Sequence, residues 1–317
     1  MASGVLARCD WPSVEYAHAP EPRRSATEVM GMSTEWENWE PLHGEQPYTL
    51  LALHPSGRFA SRQVVTWTST TVERAAIWET ETRKLVWDPG NANAICWTPD
   101  GAELLLIRDP YDSAVIASGQ GDYEHYFERR SWPSLEMIEC NKYEIPDGWA
   151  VGLVAHPRRK LACVVWRDQC CSGVDFVSWE EGVARSLSDV AYSIGTNLNS
   201  DVAFSPDGRY LACAYGEECW WSEDSEEPSP GGEFRAGMVV VTDLNTWEHR
   251  DSEIVLSAPA GWEPEDPEDS EFLSRFSTPR FIDAEQFEVQ SDLSGVLRFR
   301  VTGEKVAELG PPTNGTS

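Results

Sequence analysis

The chain has 317 residues, 41% of them hydrophobic, so it can bury a substantial core and global disorder is not expected. Acidic residues outnumber basic ones 53 to 25, for a formal charge of −28. A phosphate-binding protein needs a basic stripe to displace counterions. None of useful length is present, which argues against nucleic acid and anionic membrane and favours a basic protein or peptide as partner. Fifteen tryptophans against five methionines point to strands rather than helical bundles.

Residues 1–46 read as an N-terminal extension. Val5-Leu6-Ala7-Arg8 and Val14-Glu15-Tyr16 have strand character and could close a sheet or supply part of one. The opening residues lack the charged region and long apolar run of a signal peptide, and no stretch approaches 18 apolar residues. Eight cysteines, two of them adjacent at Cys170 and Cys171, do not read as a disulfide framework. The expectation is a cytoplasmic protein with reduced thiols and no cofactor.

From residue 47 one pattern recurs: an apolar strand, a tight turn, and a second apolar strand. The turns are Leu53-His54-Pro55-Ser56-Gly57-Arg58, Trp97-Thr98-Pro99-Asp100-Gly101, Ala155-His156-Pro157-Arg158 and Phe204-Ser205-Pro206-Asp207-Gly208-Arg209. A weaker fifth copy is Phe281-Ile282-Asp283-Ala284-Glu285. Proline presets φ, Asp or Ser bonds the local backbone, and glycine takes the conformation that other residues avoid. Short apolar runs follow, such as Leu104 to Ile107, Leu161 to Val165 and Leu211 to Ala214, and these suit strands buried on both faces. Later in each repeat comes a strand, a polar turn and an outer strand. Ala76-Ile77-Trp78-Glu79-Thr80-Glu81-Thr82, Val240-Val241-Thr242-Asp243-Leu244-Asn245-Thr246 and Leu297-Arg298-Phe299-Arg300-Val301-Thr302-Gly303-Glu304 match one another.

The copy around Phe204-Ser205-Pro206-Asp207-Gly208-Arg209-Tyr210-Leu211-Ala212 resembles the first hairpin of the WD40 repeat family. Val241-Thr242-Asp243-Leu244 stands where that family's Trp-Asp signature falls, with Thr242 in place of Trp, and the opening Gly-His pair is missing. The resemblance covers residues 47–310, with 311–317 as a tail, and implies an all-β fold. The expected fold is a single β-propeller of four-stranded antiparallel blades with five clear repeats, residues 1–46 either supplying a sixth or partial blade or closing the ring. The interval from Pro55 to Pro99 fits the roughly 40–45 residues of such repeats, while those to Pro157 and Pro206 are longer, so some blades carry insertions. The longest interval, from Pro206 to Asp283, reads as an insertion rather than a degenerate blade.

The insertions fall between second and third strands, at Asp109–Glu124, Arg167–Gly173 and Tyr215–Ala236, and in the link Ala258–Pro279. In an up-and-down blade these all emerge at one end, opposite the Pro turns, and loops on a rigid frame are where binding usually sits. Candidate partner-binding residues are Tyr111, Tyr123, Trp220, Trp221 and Trp262 as anchors, with Glu217, Glu218, Asp224, Asp266 and Asp269 steering a basic partner. Indoles beside carboxylates suit a cationic ligand. Solvated acidic loops with the indoles tucked against a blade are an equal alternative. Cys163, Cys170, Cys171, Cys213 and Cys219 could meet between neighbouring blades as a metal site, but no Cys-x-x-Cys spacing is present and no metal is expected. There is no nucleophile elbow and no phosphate-cradling loop. His54 and His156 exchange with Thr98 and Ser205 at one turn position, which suggests a turn role. The expectation is a non-catalytic interaction scaffold. Its alternatives are a propeller enzyme or metal-dependent hydrolase with its site at the central channel, or a subunit of a larger assembly.

Overall fold

The computed structural model describes residues 39–42, 47, 49–67, 71–108, 125–143, 149–167, 172–187, 190–194, 202–216, 233–257, 276–291, 294–302 and 305–309. Five antiparallel sheets follow one another along the chain. Blade one is β1 (Thr49–Leu53), β2 (Phe59–Trp67), β3 (Thr71–Glu79) and β4 (Leu85–Trp87). Blade two is β5 (Ala92–Trp97), β6 (Glu103–Arg108), β7 (His125–Ser131) and β8 (Met137–Tyr143). Blade three is β9 (Trp149–Ala155), β10 (Leu161–Arg167), β11 (Ser172–Ser178) and β12 (Arg185–Ser186), with β13 (Tyr192–Ile194) also pairing on β11. Blade four is β14 (Val202–Phe204), β15 (Tyr210–Gly216), β16 (Glu233–Asp243) and β17 (Glu248–Ser257). Blade five is β18 (Arg280–Phe281), β19 (Gln286–Ser291), β20 (Gly295–Thr302) and β21 (Lys305–Glu308). The fold is a β-propeller with one four-stranded blade per repeat. The long interval after Pro206 holds no extra sheet among the described residues.

The second strand of each middle blade is buried on both faces because successive side chains point to opposite sides. Along β10, Ala162, Val164 and Trp166 join the core shared with blade two, while Leu161, Cys163 and Val165 join the core shared with blade four. β6 does the same: Leu105 and Ile107 face blade three, and Leu104 and Leu106 face blade one. On β15, Leu211 and Cys213 face blade three, and Tyr210, Ala212 and Ala214 face blade five.

The end blades differ. β20 alternates Leu297, Phe299 and Val301, buried against blade four, with Val296, Arg298 and Arg300 on its other side. On that side Glu288 accepts from Arg298 at 2.8 Å and pairs with Arg280, so this face is built for water. On blade one, Val64, Ala76 and Trp78 are covered by Trp39 and Leu42. There Trp78 Nε1 donates to the Glu40 carbonyl at 2.9 Å, the Leu85 amide donates to Glu40 Oε2 at 2.8 Å, and the Arg62 guanidinium lies 4.2 Å from the Trp39 ring centre. Residues 1–38, where a sixth blade was expected, lie outside the described residues.

The Pro turns close in two ways. In blades two and four, Thr98 and Ser205 donate to Asp100 and Asp207 two residues on, at 2.7 and 2.6 Å, and accept the amides of Glu103 and Tyr210. In blades one and three the same position is histidine, and it reaches the next blade. His54 Nε2 donates to the Gly101 carbonyl at 3.2 Å, and His156 Nε2 donates to the Gly208 carbonyl at 2.8 Å. Their Nδ1 atoms accept local amides, from Ser56 and from Arg158 and Arg159, which fixes the tautomer. The turn role expected for these histidines is therefore also a blade-to-blade latch.

Gly101 and Gly208 have φ of +70° and +77°, and a Cβ on either would collide with the histidine ring of the preceding blade. Gly208→Ala is expected to lower unfolding free energy by about 2 kcal/mol or more, from left-handed strain plus the collision. His156→Ala/Gly208→Ala is expected to cost less than the sum of the single changes in urea titrations. Strict additivity would show that the ring does not press on the glycine.

Candidate functional site

The strands place the roots of every long insertion at one end of the blades. The chain leaves and re-enters the sheets at Arg108 and His125, Arg167 and Ser172, Gly216 and Glu233, and Ser257 and Phe276. These ends lie opposite the Pro turns, as the antiparallel ladders require. Two insertions are shorter than expected: β10 and β11 are paired up to Arg167 and Ser172, and β15 and β16 extend over Gly216 and Glu233. The candidate binding residues Tyr111, Tyr123, Glu217, Glu218, Trp220, Trp221, Asp224, Trp262, Asp266 and Asp269 all lie outside the described residues, as do Cys170, Cys171 and Cys219.

Of the proposed thiol cluster, Cys163 and Cys213 are described. Both are completely buried, and both belong to the apolar core between blades three and four. Burial, with smaller contributions from Cys213 and Asp175, pushes the Cys163 thiol well above its ordinary range. Metals bind thiolate, so this environment disfavours ligation and suits cysteine as a small hydrophobe. Among the described residues no group of three or more His, Cys, Asp or Glu side chains could hold a metal ion.

At the opposite end the structure shows a site that the repeats alone did not reveal. Where the first strands of blades one, two and three reach their Pro turns, they enclose an open pocket of about 280 Å³. Its walls are Leu51, Ala52, Leu53 and Pro55 from blade one, Cys96 to Pro99 from blade two, and Leu153, Val154, Ala155 and Pro157 from blade three. All but Thr98 are apolar or thiol side chains, and Leu53 is 55% exposed. The volume is near the lower end of the roughly 300–1,000 Å³ typical of small-ligand clefts.

One wall is rigid. Trp97 meets His54 and Trp132 edge-on, with both ring centres 5.6 Å away, and Phe59 meets Trp132 at 5.0 Å. Such edge-to-face contacts add about 0.5–1.5 kcal/mol each beyond area burial. The rings come from two blades and so fix the pocket wall across their boundary.

Several charged groups within the blades are paired. Arg129 lies between Glu103 and Glu139, at 2.9 and 2.8 Å, and Glu128 takes Arg108 and Arg130 at 2.9 and 3.0 Å. Tyr143 donates to Asp175 at 2.6 Å, where Ser186 and the Phe176 amide also donate. Thr242, at the position of the expected signature Trp, contacts Tyr192 at 3.2 Å and His249 at 3.0 Å, and Asp243 takes Arg209 at 3.0 Å.

No family model matches the sequence, and no curated protein is similar to it in sequence. Solved structures are similar in fold. Hydrazine synthase from Kuenenia stuttgartiensis has a TM-score of 0.50 at 14% identity, over 80% of this chain and 64% of that one. The Cps50 (Swd1) β-propeller domain of Myceliophteria thermophila has a TM-score of 0.44 at 11% identity, over 81% and 66%. The periplasmic gluconolactonase PpgL of Pseudomonas aeruginosa has 0.43 at 13%, over 83% and 70%. The chain thus spans about two thirds of the length of these proteins. At such identities the likeness establishes the propeller fold alone.

The similar structures also correct an expectation. Hydrazine synthase is an enzyme by name, so this architecture gives no ground for setting catalysis aside. The earlier exclusion rested on missing motifs, whereas a propeller is a frame that hosts catalytic and binding sites alike.

Burial holds the His156 imidazole below its ordinary value of 6.5, opposed in part by its bond to Gly208. Above pH 6.5 the ring is neutral in both folded and unfolded chains and adds no pH dependence. As pH falls through 6.5 the unfolded chain takes up a proton that the folded one resists, so stability declines toward the lower folded value. Unfolding free energy measured between pH 7 and 5 is expected to fall less steeply for His156→Gln than for the wild type. Equal slopes would remove His156 from the acid response.

Proposed function

We propose that the protein is a WD40-like interaction propeller that holds a basic protein or peptide at the loop-bearing end of its blades. The observation that carries this reading is the common location of the insertion roots: three interstrand segments and one blade-to-blade link all start from the same end of a rigid frame. Three of those four segments are acidic and aromatic in sequence, with six acidic and no basic side chains over residues 217–227. Aromatic anchors carry most interface energy, while surrounding charges set association rate and its response to salt. The net charge of −28 draws cationic partners from a distance set by the screening length, about 8 Å at physiological ionic strength.

The test is affinity capture with mass spectrometry, comparing the wild type with Trp220→Ala/Trp221→Ala/Trp262→Ala. Each lost indole–cation contact is worth about 0.5–2 kcal/mol, so a partner held by these three is expected to bind at least about tenfold more weakly. The captured partner is expected to be basic, with an association rate that falls as salt rises. Equal retention by the folded variant, or a salt-insensitive association rate, would refute the reading.

A further inference from the structure

The pocket at the Pro-turn end stands out in an acidic protein because its walls carry no charge. Among the described residues, Cys96 is the one ionisable side chain that lines it. Burial pushes that thiol up, so it stays protonated and neutral. The lining hydroxyl, on Thr98, is already spent: it donates to Asp100 at 2.7 Å and accepts the Glu103 amide at 3.0 Å. Asp100 in turn takes the Ala102 amide at 3.0 Å. The turns contribute Pro55, Pro99 and Pro157 to the lining, one from each blade. Proline has no N–H, so the rings that preset these turns also remove three backbone donors from the opening. Cys96, Trp97 and Leu153 are buried, whereas Leu53, Pro55 and Pro99 are exposed. Between blades two and three the Ala155 amide meets the Cys96 sulfur, which ties those two walls together.

We infer that this pocket binds a small uncharged ring compound of about the size of an indole, seated among Leu53, Trp97 and Leu153. Three features of the molecule fit that occupant. Water in an apolar concavity finds few partners, so a ring that displaces it gains burial. An ionised ligand would lose its hydration against walls that offer no counter-charge and no free hydroxyl in return. At about 280 Å³ the pocket stands at the small end of ligand clefts, so one compact ring system occupies much of it. A flat protein surface laid across the opening would leave the buried Cys96 and Leu153 untouched. The two ends of the blades thus differ in what they take: a cationic partner at the loops, a neutral molecule at the turns.

The probe is fluoroindole, with binding read by fluorine NMR line width and shift. Fluoroindoleacetate and fluorotryptamine present the same ring with a negative or a positive charge. The neutral compound is expected to bind with a dissociation constant at or below about 1 mM, and both charged ones at least about tenfold more weakly. Leu53→Asp places a carboxylate at an exposed position of the lining and is expected to weaken fluoroindole by a similar factor, with thermal unfolding unchanged. Leu309→Asp alters an exposed apolar side chain after the last strand of blade five and is expected to leave binding unaltered. Trp220→Ala/Trp221→Ala/Trp262→Ala is also expected to leave it unaltered, so the outcome here is independent of the loop-end reading. The inference is overturned by absence of fluoroindole binding up to about 1 mM, or by a charged compound binding as well as the neutral one. It is also overturned if Leu53→Asp binds as well as the wild type, or if Leu309→Asp weakens binding equally. Tighter binding of an uncharged Ser-Phe-Ser peptide than of the free ring would overturn it in favour of a partner's side chain.

Discussion

The structure depends on strands that have no polar face. β6, β10 and β15 are buried on both sides, so each requires a partner sheet to its left and to its right. A sheet of that kind cannot stand alone, since either exposed face would present a row of Leu, Ile or Val to water. Stacking blade on blade satisfies each one in turn, and the period-2 alternation decides which residue serves which interface. The constraint has to end somewhere, and it ends differently on the two outer blades. Blade five changes its sequence, with Arg298, Arg300 and Glu288 standing where a middle blade has apolar residues. Blade one keeps an apolar face with Trp78 on it and covers it with Trp39 and Leu42.

The same stacking explains why one turn position holds two chemistries. A hydroxyl at Thr98 or Ser205 closes its own turn, and that is a local solution. A histidine at 54 or 156 is long enough to satisfy its own turn through Nδ1 and still donate through Nε2 to the next blade. The bond has a packing consequence, because the ring occupies the space above the following glycine. Glycine at 101 and 208 therefore answers two demands, left-handed backbone and clearance for a neighbour's side chain. The turns tie blade one to two and three to four.

Much of this is legible in the sequence, and the parts that are not share a physical reason. The Pro turns and the apolar runs at Leu104–Ile107 and Leu161–Val165 are local patterns, and each predicted the hairpin it forms. The pocket is not local. Leu51, Trp97 and Leu153 come from three repeats, and each taken alone reads as an ordinary core residue. Its existence depends on how the first strands converge. The same holds for Glu139, whose carboxylate accepts the Ala184 amide of the neighbouring blade, and for Tyr143 with Asp175. β13 was missed because Tyr192 and its neighbours form a short second partner for an already paired strand. The loop end was legible as a location, from topology.

The distribution of charge follows from the same frame. A carboxylate held between packed sheets loses its water and requires a cation or hydrogen-bond donors, as Asp175 has in Tyr143, Ser186 and the Phe176 amide; removing the partner of a buried charge costs about 3–5 kcal/mol. The blades meet this demand with arginine: Glu128 has Arg108 and Arg130, Glu139 has Arg129, Asp243 has Arg209 and Arg250, and Glu288 has Arg280 and Arg298. Arginine suits the task because its planar fork serves two carboxylates at once, as Arg129 does for Glu103 and Glu139. A chain with only 25 basic residues that commits so many of them inside its blades has few left for its remaining carboxylates. The frame is thus close to electrically balanced, and the excess of acid falls on segments outside the ladders.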